Sequence, residues 1–176
     1  YTTHFRYRGL DTAIKGMSLL SQYDIRMVII GSGSADVIAR LKLLVNERHL
    51  QEKVVFWNQR PFDKFYSYMR YAGVNIIPHV SNGHTENTIP HKLYHSMMVG
   101  RPVLVSTCAP LKRVVEETNS GLVFEAGDEN DFAAKVLELY QNPSWCEQLG
   151  ANGAKATSTT HNWENTSKEL VRIYDT

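Results

Sequence analysis

Apolar residues along the chain fall into two alternating kinds of run. Short β-branched or aromatic stretches recur at Arg26 to Ile30 (RMVII), Lys53 to Trp57 (KVVFW), Val74 to Ile77 (VNII), Pro102 to Ser106 (PVLVS) and Leu122 to Phe124 (LVF). None alternates cleanly with polar residues, which is the pattern of strands covered on both faces. Between them apolar residues return at helical spacing: Leu10, Ile14 and Met17, then Val37, Leu41 and Leu44, then Phe62, Phe65 and Met69, then Leu93 and Met97, each a stripe down one side of a helix. Tyr1-Thr2-Thr3 reads as the end of a further strand. Strand and helix in alternation, joined by short polar connections, predict a doubly wound α/β domain of Rossmann-like kind. In such a domain right-handed crossovers cover both faces of a parallel sheet, and the ligand sits at the carboxyl ends of the strands. After Phe124, Asp128 is a candidate N-cap for a helix carrying Phe132, Val136 and Leu139. Asn142-Pro143 ends that helix and starts another, and Asn162-Trp163-Glu164 opens a last amphipathic helix with Leu170 and Ile173 on its apolar side. With no internal repeat or low-complexity tract, residues 1–176 read as a single domain.

Composition narrows the class. A chain of 176 residues with 43% hydrophobic and 21% charged content is a soluble globular domain with a substantial core. A formal net charge of +1 provides no global field for nucleic acid or an acidic bilayer, so function must come from a local site. Cys108 and Cys146 stand apart without metal-ligand spacing and read as free thiols of a reducing, cytoplasmic compartment. No apolar run reaches the roughly 20 residues of a membrane span. The first residue is Tyr1 rather than an initiator methionine, which leads us to expect a fragment whose missing N-terminal part holds half of the machinery.

The candidate chemistry concentrates in Glu86 to Ser106, ENTIPHKLYHSMMVGRPVLVS: a polar loop, a proline-started helix carrying Lys92 and His95, then Gly100 and a buried strand. That order sets a helix N-terminus beside a lysine at the mouth of the sheet, an arrangement that receives phosphate. Arg6, Arg8 and Gly9 occupy the first strand-to-helix loop. A guanidinium there either points over the sheet edge toward a diphosphate or lies on the surface; Lys92, at the same edge, favours the first reading. Gly31-Ser32-Gly33-Ser34 follows a strand and precedes a helix, where it is either a turn that needs glycine or a phosphate cradle. Asp36 stands where a dinucleotide fingerprint has its third glycine, which weakens an NAD-dependent oxidoreductase. His79, His84, His91 and His95 crowd into one segment, and His91 and His95 share a helical face. Lys92 between them opposes a metal, so no metal is expected. Glu86 and Asn87 either meet a sugar hydroxyl or complete a helix N-terminus.

The order of these motifs resembles the C-terminal domain of a retaining, two-domain (GT-B) glycosyltransferase of family 4, the glycosyl transferases group 1. The resemblance runs over essentially the whole chain: YRGLD, MVIIGSG, KVVFWNQRPF, NTIPHKLYHSMMVGRPVLVS, GLVFEAGD and NWE. It implies a domain that binds a nucleoside-diphosphate sugar as donor, uses no cofactor or metal, and awaits an N-terminal acceptor-binding domain. Arg8-Gly9 matches the family's Lys-Gly pair; the family arginine five residues earlier falls on Thr3, with Arg6 a conjectural substitute. Base and ribose would lie near Gly31, Gly33 and Asn58, within the Trp57 to Arg60 loop. Alignment on Gly100 to Val103 puts the family's second, ribose-binding glutamate at His95 and its first, sugar-side glutamate at Asn87, beside Glu86. Thr88 to Leu93 follows a TxPxKL branch in which Lys92 helps to bind phosphate. The resemblance therefore implies Glu86 and Asn87 as catalytic and Arg8, Gly9, Gly31, Gly33, Asn58, Thr88, Lys92 and His95 as donor-binding. It further implies a glycan or lipid-linked acceptor, polysaccharide or glycoconjugate synthesis, and peripheral association of the full protein with the inner membrane face. A nucleotide-binding or regulatory module that has lost catalysis is the alternative, raised by His95 and Asn87.

Overall fold

The computed structural model describes residues 8–174. The predicted strand end at Tyr1-Thr2-Thr3, the aligned Thr3 and the candidate Arg6 lie outside the described residues, as do the side chains of Phe62 and Leu170. Strands β1 (Met27–Ile30), β2 (Val54–Trp57), β3 (Asn75–Ile77), β4 (Val103–Ser106) and β5 (Gly121–Phe124) fall on the five predicted runs. The helices are α1 (Leu10–Ser18), α2 (Ala35–Glu47), α3 (Phe65–Tyr71), α4 (His91–Met98), α5 (Ala109–Thr118), α6 (Glu129–Gln141), α7 (Pro143–Thr159) and α8 (Trp163–Tyr174).

Every strand pairing is parallel, as the βαβ order requires. Instead of one continuous ladder, the described strands form two pieces, β1-β2 and β3-β4-β5. One core joins them: Met27, Ile29 and Val54 from the first piece pack in the same cluster as Leu104 and Phe124 from the second. β4 is buried along its whole length, as the unbroken apolar run predicts. β1 departs from the prediction of two covered faces, because Val28 is 45% exposed.

A second cluster, including Ile77, Leu93, Met97, Val105, Cys108 and Leu111, clamps α4 and α5 onto β3 and β4. Each of Leu93 and Met97 is fully buried, worth about 1.5–3 kcal/mol apiece. This burial is what fixes α4 against the sheet and so fixes the direction of its first turn. Asp128 caps α6 as predicted, its carboxylate accepting from the N–H groups of Asn130 and Asp131. Two expectations change. Phe65 and Met69 of the α3 stripe are half-buried and none of that helix is fully buried, and Ile173, expected on the apolar side of the last helix, is 70% exposed. Helix α5 lies in a stretch that the hydrophobic pattern left without an element, yet Leu111, Val114 and Val115 recur at helical spacing and are buried.

Candidate functional site

The site grows from the end of β3. There Pro78 leads into His79, and the start of α1 comes directly against it. Gly9, which precedes α1, has φ 59°, and a Cβ at this position would stand 1.7 Å from the Pro78 carbonyl oxygen. Only glycine permits both the left-handed backbone and the close approach. The contact sets the neighbouring Arg8 beside His79, with Arg8 Nη1 2.9 Å from His79 Nε2. Arginine has no acceptor, so the guanidinium donates and Nε2 accepts; the neutral ring therefore carries its proton on Nδ1. Nδ1 is buried and has no hydrogen-bond partner among the described residues, an arrangement that costs about 1–3 kcal/mol. Burial first, then the charges of Lys92, Arg8 and His84, pull the His79 pKa down to about 3, which keeps the ring neutral at ordinary pH.

Between β3 and α4 the backbone is folded by its own side chains. Asn82 Oδ1 accepts from the N–H groups of His84 at 2.9 Å and Thr85 at 3.1 Å. The buried Thr85 hydroxyl donates to the Val80 carbonyl at 2.6 Å. The chain leaves the short 3-10 turn Thr85–Asn87 in extended form at Thr88 and enters α4 through Pro90, with no side chain capping the helix. The first turn of α4 thus faces a cleft of about 350 Å³ walled by Arg8, His79, His84, Thr88, His91 and Lys92. Two cations from distant parts of the chain share this cleft. Lys92 keeps part of its surface open, yet burial and then the Arg8 charge pull its pKa down to about 7. Burial likewise lowers the pKa of Arg8. A cleft lined by two mutually repelling cations and a helix N-terminus has the chemistry to receive an anion, and favours a group of more than one negative charge.

The other predicted residues lie elsewhere. Glu86 is not among the residues that line the cleft: its carboxylate accepts from the Ser81 hydroxyl and from the Ala109 N–H at 2.9 Å, and these bonds, Ser81 first, lower its pKa. The helix-terminus role considered for it is realised on α5, not on the helix that follows it in sequence. Asn87 donates to the Gly83 carbonyl at 2.9 Å from an exposed position. His95 packs its ring against Phe65 and Tyr66, with centroids 5.8 and 5.5 Å away, and stacks with His91 at 6.4 Å. Burial, then His91, lowers the His95 pKa. His91, one turn nearer the N-terminus, reaches the cleft while His95 does not line it.

Gly31 and Gly33 follow β1 and are not among the residues that line the cleft. Gly31, at φ 148°, donates to the Trp57 carbonyl at 3.2 Å. At the start of α2 beyond them the Ser34 side chain first, then the nearby backbone N–H groups and Arg40, lower the pKa of the exposed Asp36. Asn58 is exposed after β2, next to Trp57, over whose ring Arg60 lies at 5.2 Å. Sequence reasoning missed His79 as a site residue. The signal was the histidine crowding, which does not say which ring is buried against an arginine.

The family model for glycosyl transferases group 1 matches residues 3–156. The chain is 30% identical over 172 residues to the amylovoran biosynthesis glycosyltransferase AmsK of Erwinia amylovora, covering 96% of this chain and 42% of that protein. It thus spans less than half the length of the curated relatives it matches first. Among solved structures it superposes on Anabaena HepE in complex with UDP, with TM-score 0.87 and 12% identity, over 99% of this chain and 47% of HepE. It also superposes on the isolated C-terminal domain of a glycosyl transferase group 1 protein from Francisella tularensis, with TM-score 0.76 and 16% identity, over 90% of this chain and 82% of that domain. At these identities the two superpositions speak for the GT-B fold.

Proposed function

The chain belongs to the glycosyl transferases group 1 family, and from that premise we propose that it is the donor domain of a glycosyltransferase, binding a nucleoside-diphosphate sugar in the cleft at the start of α4. The observation that carries the proposal is the convergence of Arg8, Lys92 and the uncapped α4 N-terminus on one cleft. When the bond between the sugar's anomeric carbon and the β-phosphate oxygen breaks, that oxygen gains a full negative charge. Donors already fixed around it stabilise the transition state more than the ground state. Arg8 and Lys92 do this work where other enzymes place a metal ion, so transfer proceeds in the presence of a chelator. The HepE complexes with UDP and with UDP-glucose support a uridine nucleotide as the first donor to try.

In this reading the transfer retains anomeric configuration, the acceptor is a glycan or a lipid-linked glycan presented by an N-terminal domain, and the whole protein works in the cytoplasm at the inner membrane face. The test is a panel of UDP-, GDP-, ADP- and dTDP-sugars titrated against the full-length protein, with release of nucleoside diphosphate followed in parallel. Binding of a sugar nucleotide that Arg8→Ala and Lys92→Ala leave unchanged refutes the assigned cleft. A second reading, a binding module without turnover, draws on Glu86 being committed to α5 and on Asn87 and His95 standing where the family has glutamates. It is distinguished by tight binding with no nucleotide release under any acceptor tried.

A further inference from the structure

Resting on the donor-site reading above, we propose that His79 is a positioning residue for donor binding: a neutral acceptor in the cleft wall that fixes the direction of the Arg8 guanidinium without neutralising it. The geometry is the 2.9 Å contact from Arg8 Nη1 to Nε2, made by a ring that is only 3% exposed and enforced by the approach of Gly9 to Pro78.

The chemistry of the alternatives explains the residue type. A carboxylate at this place would orient Arg8 equally well, but it would form an ion pair with it and compete with phosphate for its charge. An apolar side chain would fill the same space and offer the guanidinium no acceptor at this point. A neutral histidine accepts one hydrogen bond and adds no charge. The cost of this choice is visible at the far side of the ring, where Nδ1 carries a buried hydrogen with no partner among the described residues. The positive surroundings from Lys92 and His84 act in the same direction, opposing protonation of the ring, which would abolish the acceptor.

The experiment measures the affinity of the full-length protein for the best-binding sugar nucleotide of the panel, by calorimetry, in a double-mutant cycle. His79→Leu removes the acceptor, and about tenfold weaker binding is expected, the scale of a lost hydrogen bond to a charged group. His79→Gln, whose Oε1 occupies the place of Nε2, restores most of the affinity. In an Arg8→Ala background His79→Leu has no further effect, an outcome that general damage to the cleft would not give. Wild-type affinity in His79→Leu, or an equal loss with and without Arg8, overturns the inference while leaving the donor site standing. An Arg8→Ala variant with undiminished affinity overturns the donor-site reading, and with it the inference. Should His79→Leu fail to fold, nitrogen-15 NMR of the wild-type ring decides the matter. The Nδ1–H tautomer at pH 7, unchanged by the sugar nucleotide, supports the assignment; the Nε2–H tautomer or an imidazolium overturns it.

Discussion

Binding of the donor should take up a proton, and Lys92 is the group that takes it. With a pKa of about 7 in the cleft, the amine is half charged at pH 7. A diphosphate beside it favours the ammonium form, and a rise of two to three pKa units, about 3–4 kcal/mol, is ordinary for a close opposite charge. If the bound value is about 9.5, uptake is about 0.1 proton at pH 6, about 0.5 at pH 7 and about 0.9 at pH 8 by simple titration arithmetic. The association constant then changes less than about twofold between pH 6 and 7, and falls about fivefold between pH 7 and 8. The assay is titration calorimetry at pH 7.5 in two buffers of different ionisation enthalpy, with a sugar nucleotide whose phosphodiester charges do not titrate in this range. The slope of observed enthalpy against buffer enthalpy gives the proton count. Lys92→Arg is the control, since guanidinium stays charged throughout; it binds without this uptake, whereas any contribution from His84 or His91 survives in it. Binding with no buffer dependence in the wild type, or uptake undiminished in Lys92→Arg, refutes the reasoning.

Three further outcomes are expected. Gly9→Ala meets the Pro78 carbonyl at an impossible distance and a left-handed backbone, so urea denaturation should show a loss of about 3 kcal/mol or more; a loss under about 1 kcal/mol would mean that α1 shifts at little cost. Glu86→Gln weakens the hydrogen bonds at the start of α5 and should lower the thermal midpoint while leaving donor affinity unchanged; reduced turnover at an unchanged midpoint would return Glu86 to a catalytic role. The folded state holds His79 neutral down to a pKa of about 3 whereas the unfolded chain protonates it near pH 6.5. Fewer protons are therefore bound when folded, and stability falls as pH drops below about 6.5, by up to about 1.4 kcal/mol per pH unit from this group. Denaturation curves at pH 7, 6 and 5 should show a shallower dependence in His79→Gln, and an identical slope would contradict the buried neutral ring.

Much of the architecture was legible in the residue pattern because strands and helices are local statements. Five β-branched or aromatic runs became β1 to β5 with their ends moved by a residue or so, and Asp128 caps α6 because capping needs only its own next three residues. Helix α5 had no expectation set against it, although Pro110 in its first turn is compatible with a helix start. The break of the described ladder into two pieces, the open face of β1 and the exposure of Ile173 were not legible, since each depends on which elements meet and not on any one element's pattern.

The same division runs through the site. Residue types alone established that Arg8, Lys92 and a proline-started helix offer positive charge and free N–H groups, because charge and donor count are properties of the side chain. Their meeting in one cleft, the commitment of Glu86 to the distant Ala109 N–H, and the separation of four clustered histidines into a buried acceptor, two cleft-wall rings and an aromatic-packed ring were decided by tertiary structure. Packing sets which groups lose water and which charges come close, and it is desolvation and proximity that turn an ordinary lysine into a half-charged one and an ordinary histidine into a fixed acceptor.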